Sequence, residues 1–474
     1  MERKWWTLIA VSVAIFMLLL DITVVNVALP DIQRSLHSSF PDLQWVVNAY
    51  ALTLAAFLLT SGSVADLIGR KRVFVAGLVV FTTASAICGL STTPLMLNLA
   101  RAVQGTGGAM MFATSLALLA QTFEGRGFGI ALGIWSAVVT LGLGCGPVLG
   151  GLLTEVSWRL IFFVNIPVGV VAILMTLIGV QEFRPPDSRR IDLPGGAIFA
   201  LGLVALIYGL IESSSSGWGS ARVIIALAVA LAALASFPLI ERMRRQPMFD
   251  LSLLRKPTFV GGLVAALGMN GSLYAILLYL VLYLQNGLHD SALGTGLRLL
   301  VITVAAMATS ILAGRLSQYV PIRWLIGLGL GLIGLGLLLM RGLHADTGWT
   351  HLILGMAIAG AGSGLVNPPL ASTAVGVVQP QHAGMASGIN ATFRQIGIAT
   401  SVAVLGSIFD SKIGGATAAT ATGHYASALN EVVLIAACIA FVAGGLALVL
   451  IRRKDFHAPD PAAPRPEPAT ANHN

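Results

Sequence analysis

Charge is what this sequence has least of. Only 10% of its 474 residues are Asp, Glu, Lys or Arg, against about 25% in a soluble globular domain. That shortage excludes a soluble enzyme, a nucleic-acid-binding module and a disordered protein. Cysteine is scarce too: Cys88, Cys145 and Cys438 sit far apart in apolar stretches, so neither a disulfide framework nor a thiolate metal site is expected. The eight histidines lie in loops or near the ends of apolar runs, and none pair at i, i+3 or i+4. Metal or redox chemistry is therefore not expected. No Gly-x-x-x-x-Gly-Lys phosphate loop occurs, so the chain is expected to have no ATPase of its own and no cofactor. What remains is oil: 56% of the residues are hydrophobic and the mean hydropathy is +0.86. The net charge of +8 would suit an acidic partner in a soluble protein, but in a membrane protein it marks cytoplasmic loops. The reading is an all-α polytopic membrane protein whose first partner is the lipid bilayer, with no nucleic acid and no metal.

A helix needs about 20 apolar residues to cross the hydrocarbon. Runs broken at charges, Pro and Gly give spans at 7–29, 42–63, 73–92, 95–119, 127–153, 158–180, 194–213, 222–240, 257–285, 294–313, 323–341, 350–372, 384–410 and 429–451, fourteen in all. The first follows Arg3 and Lys4 but meets no small-residue cleavage site before Pro30, so a retained helix is expected rather than a signal peptide. Fourteen spans place both termini on one side. Most of the 28 basic residues fall there, among them Arg70, Lys71, Arg72, Arg189, Arg190, Arg452, Arg453 and Lys454, while Arg34, Arg159 and Lys412 are among the few opposite. The asymmetry predicts a multi-pass protein of the cytoplasmic membrane with both termini in the cytoplasm. The segment 455–474, rich in Pro and Ala, reads as a disordered cytoplasmic tail.

Two stretches repeat at one constant offset. Gly105-Thr106-Gly107 matches Gly360-Ala361-Gly362, the run from Gly129 to Ile134 matches that from Gly384 to Ile389, and Gly142 falls on Gly397. A weaker match pairs Gly62 with Gly314. The fourth and fifth spans thus recur as the twelfth and thirteenth. This predicts a six-helix bundle over 1–180, a two-helix insert with its connections over 181–256, and a second six-helix bundle over 257–454. Parallel halves that hold a substrate between them near the midplane are a transporter architecture. The copies differ chemically, since Asp66 aligns with Gln318 and Arg101 with Met356. Ion coupling is therefore expected in the first half.

Asp21, in the first span, is the one carboxylate deep within any span. A charge there costs roughly 2.5–3.5 kcal/mol on insertion scales, and apolar surroundings favour the protonated form of a carboxyl group. Asp21 is thus either a proton- or cation-coupling site or a structural acid between helices. Arg101, Gln104, Gly105 and Gly108 form one helical stripe, and Arg101 either pairs with Asp21 or serves structure alone. Gly62, Asp66, Gly69, Arg70, Lys71 and Arg72, between the second and third spans, read as a cytoplasmic charge latch or as a plain positive-inside anchor. Gly142, Gly146 and Gly150 are spaced for close helix packing. Pro147 beside them bends the helix, and with Gly151 they suggest a flexing hinge between the halves. Arg394 and Gln395 are the second half's main buried polar pair, equally suited to substrate contact and to structural pairing. Asn26, Trp45, Tyr50, Gln104, Trp135, Asn270, Tyr274 and Asn390 complete the candidates for a substrate cavity, each with packing as its alternative.

These residues resemble the fourteen-helix drug/proton antiporter family of the major facilitator superfamily, the EmrB/QacA type, along nearly the whole chain to about residue 454. Four motifs carry the resemblance: LDxTVxNVALP at Leu20–Pro30, GxxxDxxGRK at Gly62–Lys71, RxxQGxGG at Arg101–Gly108 and GxxxGPxxGG at Gly142–Gly151. Leu67 departs from it, standing where a basic residue often follows the aspartate. The family implies alternating access driven by the proton gradient and export of small, apolar, often cationic drug-like compounds. It also implies Asp21 as the proton site, Arg101 as its modulator, Asp66 and Arg70 as the gate, and Gly146-Pro147 as the hinge. Its alternatives are a dedicated exporter of one metabolite or antibiotic and, less in keeping with the Gly-Pro motif, an importer. A periplasmic adaptor would fit the same reading, but no residue supports one.

Overall fold

In a membrane, backbone N–H and C=O groups must satisfy each other within the segment, so apolar runs of this length become helices. A computed structural model describes residues 3–123, 125–182, 193–243, 249–317, 319–378, 383–414 and 420–456. Among them no strand occurs, and fourteen helices are long and apolar enough to span a bilayer. They are α1 Arg3–Leu36, α2 Phe40–Ile68, α3 Arg70–Gly89, α4 Pro94–Thr122, α5 Gly125–Val156, α6 Leu160–Gly179, α7 Leu193–Ser216, α8 Ala221–Met243, α9 Pro257–Gly287, α10 Ala292–Leu316, α11 Ile322–Leu339, α12 Leu352–Gly376, α13 Ala383–Ile413 and α14 Ala421–Leu450. Every expected span has its helix. Their starts are set by ordinary capping chemistry: Ser39 and Asp42 form a reciprocal capping box on α2, Thr93 caps α4 ahead of Pro94, and Ser291 caps α10.

The pairing of helices repeats. In the first six, α1 lies against α4, α5 and α6, α4 against α2 and α3, and α3 against α6. In the last six, α9 lies against α12, α13 and α14, α12 against α10 and α11, and α11 against α14. The matched glycines explain why the sequence repeats where it does. A Cβ on Gly105 would strike the Tyr50 carbonyl of α2, and one on Gly360 the Ile302 carbonyl of α10. Gly107 faces the backbone of Gly77 and Phe81, Gly362 that of Gly329 and Ile333. Gly142 meets Phe16 O of α1, and Gly397 meets Leu267 O of α9. Each pair marks the same backbone-to-backbone approach in its own half. Gln318, the counterpart of Asp66, lies outside the described residues.

The halves meet along α2–α13 and α5–α10, with α1 touching α9. At the end opposite the termini this seam is tight. Phe40 stacks on Phe409 at 5.9 Å, Gln44 Nε2 donates to Val402 O at 2.8 Å, Gln285 Nε2 donates to Val27 O at 2.8 Å, and Gly151 abuts Ala292 and Leu293. The insert pair α7–α8 lies across both halves, α7 touching α2 and α13. The structure differs from expectation at the start of the tail. Asp455 accepts from the Thr258 hydroxyl at 2.7 Å and Phe456 packs into the core, so the attached chain extends two residues beyond 454. Residues 457–474 lie outside the described residues, as do Arg184, Arg189, Arg190, Arg244 and Arg245 in the connections.

Candidate functional site

Asp21 and Arg101 form an ion pair sealed inside the first half. Their side chains are 0% and 2% exposed, and Arg101 Nη1 donates to Asp21 Oδ2 at 2.5 Å. The other carboxylate oxygen accepts from Gln104 Nε2 at 2.9 Å and from Asn165 Nδ2 at 3.0 Å. Arg101 also reaches Gln104 Oε1 at 2.7 Å and Val46 O at 3.1 Å, and its guanidinium lies 4.3 Å from the Tyr50 ring centre. Ser85 accepts from Asn165 at 3.0 Å and so ties α6 to α3. A buried pair is sustained only when its remaining lone pairs and protons are satisfied, and here α1, α2, α4 and α6 supply the partners. The sequence brought Asp21, Arg101 and Gln104 forward, but it did not single out Asn165 or Ser85. The one available signal was an Asn followed by Pro167 inside an apolar span, where α6 is interrupted near Val164.

Between the halves lies a cavity of about 600 Å³. It runs from the level of Asn26 and Gly144 toward the end bearing the termini, where Leu116, Ser310, Ala374 and Ser387 line it. Of the residues expected there, Asn26, Trp135, Tyr274, Asn390 and Arg394 line it. Four do not. Trp45 packs toward Tyr208 of the insert at 6.5 Å, and Tyr50 and Gln104 belong to the Asp21 cage. Asn270 turns its amide onto Ala266 O of its own helix at 2.8 Å. Asn270–Tyr274 is a π-helical turn of α9, the kind of irregularity that recurs at functional sites. Arg394 donates to Asn390 Oδ1 at 3.2 Å and to Asn367 Oδ1 at 3.0 Å. Asn367, set before Pro368 and Pro369, was not foreseen.

The loop motif folds as a turn that ties helix ends together. Gly69 has φ 118, a left-handed conformation suited to glycine, and a Cβ there would lie 2.6 Å from the Glu182 carboxylate. Glu182 accepts from Lys71 N at 3.0 Å and Arg72 N at 3.2 Å, an anion at a helix N-terminus. Arg70 bridges Asp66 at 3.0 Å and donates to Ala117 O of α4 at 3.2 Å. These bonds join α2, α3, α4 and the segment after α6, all in the first half. A Cβ on Gly62 would meet nothing within 4 Å.

The glycine stripe of α5 packs closely, as its spacing predicts, and does so within its own half. Gly142, Gly146 and Gly150 face Leu19, Thr23 and Val24 of α1 in the same half, whereas the contact with the second half is made by Gly144, Gly151 and the Pro147 carbonyl, which abuts Gly296. A helix presents several faces, and spacing alone does not say which neighbour each one meets. Gly146→Ala should therefore part α1 from α5, because its Cβ would overlap the Thr23 side chain. Overpacking of this kind costs about 1–3 kcal/mol, so the melting temperature of the purified protein should fall. Gly133→Ala on the same helix meets nothing within 4 Å and should hold or raise it, Ala being the better helix former. Equal melting of both variants would sink this account of the stripe.

A family model described as the Major Facilitator Superfamily matches residues 11–402. The chain is 38% identical over 405 residues to Multidrug resistance protein Stp of Mycobacterium tuberculosis, covering 85% of this chain and 75% of that one. It is 34% identical over 418 residues to the Tetracenomycin C resistance and export protein of Streptomyces glaucescens, covering 87% and 77%. In fold it is similar to a bacterial homolog of the human lysosomal transporter Spinster in an inward-facing, occupied conformation. That likeness has a TM-score of 0.67 at 17% identity, over 96% of this chain and 99% of the other.

Proposed function

Because the chain belongs to the major facilitator superfamily, with drug-resistance proteins as its relatives over most of its length, we propose that this transporter is a proton-driven multidrug efflux antiporter of the cell membrane. Both termini would lie in the cytoplasm, so the cavity extends inward and the tight seam faces out. The observation that carries the reading is the pairing of an apolar cavity between the halves with a separate, fully buried Asp21–Arg101 ion pair in one of them. Substrate enters from the cytoplasmic side while Asp21 is ionised and held by Arg101. After the halves tilt, a proton from outside neutralises Asp21 and frees Arg101, and the substrate leaves. The loop joining α2 and α3 serves as the cytoplasmic gate. For an uncharged substrate, one proton crossing 100 mV supplies about 2.3 kcal/mol, enough to sustain a gradient of roughly fifty-fold.

The test has two arms. Expression in a pump-deficient host should lower accumulation of several unrelated dyes and antibiotics. In proteoliposomes, substrate movement one way should acidify or alkalinise the lumen in the antiport sense, read by a trapped pH dye. No flux, or symport, would overturn the reading. A dedicated exporter is the second reading, favoured by a relative named for a single antibiotic; it predicts resistance to one compound out of the panel.

A further inference from the structure

The cavity wall is electrically lopsided. Among the described residues that line it, Arg394 is the only charged one, and the ion pairs among the described residues engage other cations. Its two bonds go to the neutral amide oxygens of Asn390 and Asn367, which occupy two of the five N–H groups of a guanidinium. Arg101 in the other half, by contrast, is matched by Asp21. Two further donors on the cavity wall lack acceptors: Asn390 Nδ2 and Trp135 Nε1 are both buried with no hydrogen-bond partner. Asn390 is only 5% exposed. Buried polar groups are ordinarily satisfied, and a guanidinium held only by neutral amide oxygens on this wall favours an acceptor that carries negative charge. The rest of the wall, including Val139, Leu143, Leu273 and Leu277, is apolar.

We propose that the cavity takes amphipathic organic anions, with a carboxylate or similar oxyanion on Arg394 and Asn390 and an apolar body along α5 and α9. This rests on the export reading above and departs from the often cationic substrates that the family resemblance implies. A half-buried guanidinium paired with no carboxylate among the described residues repels a cation, whereas a charge-assisted bond rewards an anion.

The probe set is anthracene carboxylate, its neutral carboxamide and the aminomethyl cation, three bodies of one shape. Binding to the purified full-length protein at neutral pH is read by fluorescence. The carboxylate should bind at least about tenfold tighter than the carboxamide, a preference equal to about 1.4 kcal/mol, and the cation weakest. Arg394→Gln should bring the carboxylate to the level of the carboxamide. Arg394→Lys should keep the order, and Asn390→Leu should reduce the carboxylate preference severalfold. A cation that binds as well as the carboxylate, or a preference that survives Arg394→Gln, overturns the site. Binding is read apart from transport. An anion preference without flux would sink the export reading alone, and flux without the preference would sink the site alone.

Discussion

Asp21→Asn should abolish uphill efflux while the protein still inserts and folds. Asn keeps the size of the side chain and an oxygen for Gln104 and Asn165 to donate to, so the cage around position 21 remains. What it cannot do is alternate between a charged and a neutral form, and the buried guanidinium of Arg101 is left permanently without its counter-charge. The variant is thus fixed in the electrical state of the protonated carrier. In proteoliposomes with an imposed membrane potential of about 100 mV, wild-type protein should concentrate an uncharged substrate by tens of fold and the variant by about onefold, on the scale set by one proton and that potential. Counterflow of labelled substrate without a gradient should fall as well, because the neutral form at position 21 is the one that releases substrate. Wild-type pumping against a gradient by Asp21→Asn would remove Asp21 from the coupling step.

Arg101→Ala should be the most damaging single substitution for stability as well as for pumping. It deletes the partner of a fully buried carboxylate, empties the space beside the Tyr50 ring and breaks the link to Val46 O. Removing one member of such a pair costs about 3–5 kcal/mol, less whatever Asp21 regains by taking up a proton. Replacing both members by neutral groups of similar volume is often harmless or stabilising. The double variant Asp21→Asn with Arg101→Met should therefore recover much of the thermal stability lost in Arg101→Ala and still fail to pump uphill. Stability and pumping that return together would make the pair a purely structural device.

Sequence reading reached the helices and the buried Asp21–Arg101 pair because both leave one-dimensional signatures. An apolar run has a length, and a carboxylate deep in oil stands out with or without its partner. The pairing of the halves was legible for the same reason, since Gly105 and Gly360, or Gly142 and Gly397, fall at one offset and make equivalent contacts. What failed was direction. Trp45 and Trp135 look alike in sequence, yet one meets the insert and the other the cavity. Asn165, Asn270, Asn367 and Asn390 are four asparagines in apolar surroundings whose roles depend on which helix each one faces. The stripe from Gly142 to Gly150 announced close packing without naming α1 as the partner. Glu182 lay just past a span end, where an acid attracts no notice, and its role appears only once the α3 N-terminus is brought beside it.

Helix α1 shows Asp21 to one neighbourhood and Thr23, Asn26 and Val27 to another. On the antiport reading proposed above, fuel and cargo would occupy separate rooms and communicate by the movement of the wall between them. A carrier so arranged can redecorate its cargo room by mutation, and thereby meet chemically new toxins, without retuning its engine.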